Sequence, residues 1–221
     1  MIRQAVFACL EATILATALM LLSPACIGAV EKVPAAAKTP LIGDGTAESI
    51  GKWDLPRSET IGEGRNAMDE IFKRRHSVRS FLSRNVSRRD LAAILAAADS
   101  APSAGGLKSR EVLVVTDDET KKRLVRAAYG QEFIAQAPVV MVFWAVPSRS
   151  ASKYGGRGRD LFALQDATIA ASFAWLQAVA SGLGACWVGA FDDEAVKSIF
   201  PGKIERDWRP IALMPVGYAA E

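Results

Sequence analysis

Read from residue 66 onward, the chain alternates between stretches with helical and strand-like spacing of apolar residues. Asn66 is placed to cap a helix that carries Met68, Ile71 and Phe72 on one side. Ser87, with Asp90 three residues on, predicts the start of a second helix whose Leu91, Ile94 and Leu95 face inward. The segment "APSAGGL" (residues 101–107) breaks it. "EVLVV" (111–115) is a short β-branched run that reads as a strand. "TDDETKKRLVRAA" (116–128) has acids first and bases later, the charge order that a helix dipole favours.

"APVVMVFWAV" (137–146) is a second, wholly apolar strand, and "YGGRGRD" (154–160) reads as a glycine-rich loop. Residues 160–181 predict a helix in which Leu161, Leu164, Ile169, Phe173, Trp175, Leu176 and Val179 leave almost no polar face, so burial nearly all round is expected. "ACWVGAF" (185–191) is the next expected strand, Asp192 or Asp193 starts a short helix, and "PIALMPVGY" (210–218) is the last strand. Strands separated by helices argue for an α/β or α+β layer with helices over both sheet faces.

Upstream the patterning differs. Arg3, an apolar run from Ala5 to Leu22 and the small residues Ser23-Pro24-Ala25 before Cys26 have the layout of a leader over residues 1–26. Cys26 loosely resembles a bacterial lipid-acceptor cysteine. The reading leaves open a cleaved signal, a retained membrane anchor on the periplasmic side, or a true start at Met20 or Met68, which would leave the protein cytoplasmic. Residues 27–65, rich in Pro, Gly, Ala and Thr, read as a linker or N-terminal arm, and residues 66–221 as the domain.

Composition removes several chemistries. The 221 residues hold Cys9, Cys26 and Cys186 as the only cysteines and His76 as the only histidine, which argues against a disulfide framework, a structural zinc site or a Ser-His-Asp triad. No Walker pattern occurs, and Gly182-Leu183-Gly184 lacks the third glycine of a dinucleotide fingerprint. Net charge is only +3, yet Lys73, Arg74, Arg75, Arg79, Arg84, Arg88 and Arg89 fall in an acid-free window from Ile71 to Arg89. A local surplus of cations implies a local anion. Nucleic acid is a poor candidate, because the aromatics lie in apolar runs and are not interleaved with the arginines.

"RRHSVRSF" (74–81), "APSAGGL" (101–107), "LQDATIAASFAWLQAVASGLGACWVGAF" (164–191) and "PVGYAAE" (215–221), in this order, together resemble the FMN-dependent nitroreductase superfamily. The "PSAGGL" form with Glu111 after it is similar to the thiazoline and oxazoline dehydrogenase subgroup. The resemblance implies an α+β, three-layer α/β/α fold with a mixed, largely antiparallel central sheet. It also implies FMN as cofactor, NAD(P)H as hydride donor, a small-molecule acceptor such as a nitroaromatic or quinone, ping-pong exchange through flavin N5, and a homodimer with flavins at the interface. Arg75, His76, Ser77 and Arg79 match the family's phosphate-side positions, Pro102, Ser103, Ala104 and Gly106 its loop along the ring, and Gly189 and Ala190 the backbone beside N5. No side chain is expected to act as a catalytic acid or base.

A guanidinium fork suits a phosphate dianion. On a persisting helix, Arg75 and Arg79 project to one side with Ser77 between them. Relatives commonly carry Asn where Gly106 stands and a Gln-Pro-Trp type sequence after it; Leu107-Lys108-Ser109-Arg110 stands here instead. Gln165 and Asp166 are polar exceptions on an apolar helix, and buried polar groups require partners. Export would favour a dehydrogenase or oxidase of a peptide or small molecule over a nicotinamide-linked reductase, and a flavin- or ligand-binding protein without turnover is the further alternative.

Overall fold

A computed structural model describes residues 63–220; the expected leader and nearly all of the expected arm lie outside the described residues. The first helix, α1, spans Glu63–Arg74, so it begins inside the expected arm and Asn66 lies within it, not at its cap. The second, α2, spans Arg88–Ser100, and its start is as expected: the Ser87 hydroxyl accepts from the Asp90 N–H at 3.0 Å and donates to the Asp90 carboxylate at 2.7 Å. Ser87→Ala is expected to cost about 1 kcal/mol, read as a small drop in melting temperature with unchanged far-UV circular dichroism.

After a tight turn at Ala104–Gly106 come β1 (Arg110–Val115), α3 (Asp118–Ala127), α4 (Phe133–Gln136) and β2 (Val139–Ala145). Then follow α5 (Pro147–Arg157), a π-helical turn (Gly158–Phe162), α6 (Ala163–Ala180), β3 (Gly184–Ala185), α7 (Asp193–Ser198) and β4 (Arg209–Gly217). The four strands lie in the order β1-β2-β4-β3 with every neighbouring pair antiparallel. Outside the four strands, Ser77 makes an isolated parallel bridge to Ala185 at the β3 edge.

Period-two alternation along β2 divides the core. Val140, Val142 and Trp144 face one helical layer with Leu124, Ile134, Val196 and Phe200, while Val139, Met141 and Phe143 face the other with Ile94, Ala170, Ala171 and Ala174. All seven β2 residues are buried, which explains why the run has no polar position. Helices thus cover both faces, and the fold is the α+β three-layer arrangement.

Three local expectations are corrected. "YGGRGRD" is not a loop: Pro147 opens α5, the helix kinks at Gly155, and the chain continues as the π-helical turn. The burial of α6 falls mainly on its small residues, Ala163, Ala167, Ala170, Ala171, Ala174 and Ala178, with Asp166 and, as expected, Val179 also buried, because a helix lying close against the sheet has little room for larger ones there. Its Leu164, Ile169, Trp175 and Leu176 are half-buried and Phe173 is exposed. In "ACWVGAF" only Ala185 belongs to a strand; Val188 makes a single bridge to Leu213 and the remainder is irregular.

Candidate active site

The basic segment leaves the helix at Arg74 and continues as extended chain against β3, with the Val78 N–H donating to the Ala185 carbonyl at 3.0 Å. The helical reading of Arg75 and Arg79 is therefore replaced by a period of two, which still sets Arg75, Ser77 and Arg79 on one side. Val78 turns inward and packs on Gly184 so closely that a Cβ at that glycine would lie 2.6 Å from a Val78 methyl. His76 shares Val78's side: it lines a shallow cleft with Leu183 and Gly184, its Nδ1 2.8 Å from the Arg74 carbonyl.

On the other side, the Arg75 guanidinium lies 4.8 Å from the centre of the Trp175 ring and that of Arg79 5.9 Å from the Phe133 ring. Both arginines are exposed, and among the described residues neither pairs with a carboxylate. Beneath them, burial pushes the Cys186 thiol up from its ordinary value, against the Arg79 charge and a Ser77 hydrogen bond that pull it down. Gly189 and Ala190 follow on an exposed stretch held by the Gln131 side chain, which donates to the Ala190 carbonyl at 3.0 Å. Neither of their N–H groups has an acceptor among the described residues.

The glycine loop is organised from below by Asp166. Its buried carboxylate accepts the Ala104 N–H at 2.9 Å and the Ser109 N–H at 3.0 Å, one on each oxygen. The polar exception on α6 thus has its partners in the loop, whereas Gln165 is exposed. Pro102 is exposed and ends α2's reach; the Ser103 hydroxyl accepts the Lys108 N–H at 3.0 Å, and Gly105 and Gly106 take φ of +59° and +71°, which glycine adopts without penalty.

Arg110 and Arg149 are site residues that sequence reasoning missed. One Arg110 amino group donates to the Ala98, Asp99 and Ala101 carbonyls at 3.0, 2.9 and 2.8 Å, tying down the end of α2 just before Pro102. Burial lowers its proton affinity, and the Asp166 and Asp99 carboxylates restore part of it. Arg149 of α5 donates to the Lys108 and Arg110 carbonyls and pairs with Glu111. The one available signal was a charged residue, Arg110, opening a β-branched run.

The structure brings Ser77 and Arg79 together beside Cys186, with Arg75 on the same side of the extended segment over Trp175, and separately groups Ser103, Ala104 and Gly106. It does not join the two groups within one chain. Register places Arg110, beside the glycine loop, level with Ala145 and Arg209 at one sheet end. The basic segment borders β3, whose Ala185 pairs with Val216, itself opposite Val139 at the other end. The seven residues of β2 between them span about 20 Å.

Residues 72–131 and 125–218 match the model of the Nitroreductase family. The chain belongs to the nitroreductase family. It is accordingly an oxidoreductase. It is 30% identical over 175 residues to a Thermus thermophilus protein named NADH dehydrogenase, covering 67% of this chain and 84% of that one. It is 29% identical over 168 residues to Bacillus subtilis FMN reductase [NAD(P)H], covering 70% and 68%. Among solved structures, an FMN-dependent nitroreductase from Clostridium difficile R20291 superposes with a TM-score of 0.59 at 30% identity, covering 68% of this nitroreductase-family chain and 87% of its own.

Proposed function

We propose that this nitroreductase-family chain is a homodimeric FMN oxidoreductase that takes a hydride from NADH or NADPH and delivers it to a small acceptor such as a nitroaromatic or quinone. The names borne by the two sequence relatives support the cofactor and the donor. The residues present fit FMN: two exposed guanidiniums without carboxylate partners suit a phosphate, and two N–H groups without acceptors suit a flavin edge. Bound FMN supplies the centre that accepts and releases the hydride. Arg75, Ser77 and Arg79 bind the phosphate; Ser103, Ala104 and Gly106, held by Asp166, present a side-chain-poor surface to the ring; the Gly189 and Ala190 N–H groups orient it.

The observation that carries the dimer is the divided site. A second copy related by a two-fold axis can bring its glycine loop to the first copy's basic segment, which one chain cannot do across about 20 Å of sheet. The apolar groove between α1, α2 and α6, lined by Met68, Ile71, Phe173 and Leu176, offers an apolar surface for it. Met68 on α1 and Phe173 on α6 are both exposed at this groove, and Phe72 is exposed on α1, large apolar side chains costly to leave in water.

Two measurements test the proposal. The purified protein is expected to show flavin absorbance that bleaches on anaerobic addition of NADH or NADPH; a protein that cannot be loaded with FMN refutes the reading. Phe173→Glu is expected to shift the species seen by sedimentation from dimer to monomer and to release FMN at the same time. A monomeric variant that keeps its flavin sinks the shared site.

A further inference from the structure

The helix that packs over the glycine loop carries an unusual charge. From Val146 to Arg159 it holds no acid, and its cations are Arg149, Lys153, Arg157 and Arg159. Arg149 is committed to Glu111 and to loop carbonyls, and Asp160 faces Arg209 at 3.9 Å. Among the described residues, Lys153 and Arg157 have no carboxylate partner, and both are exposed. They are held beside the loop. The Tyr154 ring packs edge-to-face on Phe162 at 5.2 Å, with Lys153 at 5.4 Å from the Tyr154 centre and Arg157 at 5.3 Å from the Phe162 centre. This braced group overhangs Gly105: a Cβ there would overlap the Tyr154 hydroxyl and stand 3.0 Å from Lys153 Nζ.

We propose that Lys153 and Arg157, flanking the Tyr154–Phe162 pair above Gly105, select substrates that carry an oxyanion, a carboxylate or a phosphate, for the flavin site. The proposal rests on the FMN reading of the glycine loop and adds the substrate's charge to it. A molecule that reaches the ring past this helix meets two cations with no internal counter-charge, so a neutral analogue loses an attraction that the anionic one keeps. The oxyanion has two sources, the acceptor or the 2′-phosphate of NADPH.

The test uses the FMN-loaded full chain and two internal ratios: kcat/KM for 4-nitrobenzoate over its methyl ester, and for NADPH over NADH. At least one ratio is expected to favour the charged member, to decline as salt rises, and to fall about tenfold in Lys153→Met/Arg157→Met. Lys153→Arg is expected to retain it. A fall in the acceptor ratio assigns the anion to the acceptor; a fall in the donor ratio assigns it to the NADPH phosphate. Both ratios unchanged in the double variant, with flavin bound and NAD(P)H oxidised, overturn the proposal, as do wild-type ratios that salt leaves unmoved. A wild-type protein that holds no FMN overturns the enzyme reading, and this one with it.

Discussion

Arg75→Ala/Arg79→Ala is expected to lower FMN affinity about a thousandfold, since two charge-assisted contacts are lost at once. The protein should be purified colourless and remain so at flavin concentrations that saturate the wild type. Folding should be little affected, because both guanidiniums are exposed and rest only on the faces of Trp175 and Phe133. Arg84→Ala serves as the control: Arg84 belongs to the same basic window but its guanidinium stacks 4.0 Å from the Tyr218 ring centre. Loss of flavin in the control but not in the double variant would move the phosphate site to the Tyr218 side. Retention in both would leave the basic window without its proposed anion.

Asp166→Ala is expected to destabilise the fold by about 3–5 kcal/mol, as two loop N–H groups lose their acceptors and Arg110 loses a neighbouring negative charge. Turnover should fall further than stability alone explains if, as proposed, the same loop presents Ala104 and Gly106 to the flavin. Asp166→Asn should not rescue it. One amide oxygen can still accept from Ala104 or Ser109, but the amide nitrogen then confronts the other N–H donor. Thermal melts of the two variants check this, and an Asn variant that melts with the wild type would show that the carboxylate does not organise the loop.

Much of the architecture was legible in local pattern. Ser87 with Asp90 announced α2, "TDDETKKRLVRAA" announced α3, and the unbroken apolar run of β2 announced a strand buried on both faces. Each of these signals is carried by neighbours in sequence, either a cap reaching its own first turn or a side-chain period. Where pattern misled, a distant contact had decided the outcome. The glycines at 155–158 looked like a loop, but the chain breaks from helical geometry only at Gly155 and is helical on either side of it. Residues 164–179 looked buried all round, but the close approach to the sheet favours the alanine face, with Asp166 and Val179 also buried, leaving Phe173 for another surface.

The site divides in the same way. Sequence by itself marked the candidate residues: an acid-free basic run, a glycine-rich break and a second glycine-bearing stretch, enough to resemble one family. It also marked Gln165 and Asp166 as polar exceptions in want of partners, and of the two only Asp166 is buried. Only tertiary structure decided what those residues meet. The extended path of residues 75–79 depends on pairing with Ala185, more than 100 positions along the chain. The loop depends on Asp166, 62 residues from Ala104, and on Arg149, 41 from Lys108. The opposite placement of the two half-sites follows from strand register. Such contacts leave no local period in the sequence, because the two partners are set by the fold's closure and not by the spacing of residues along one element.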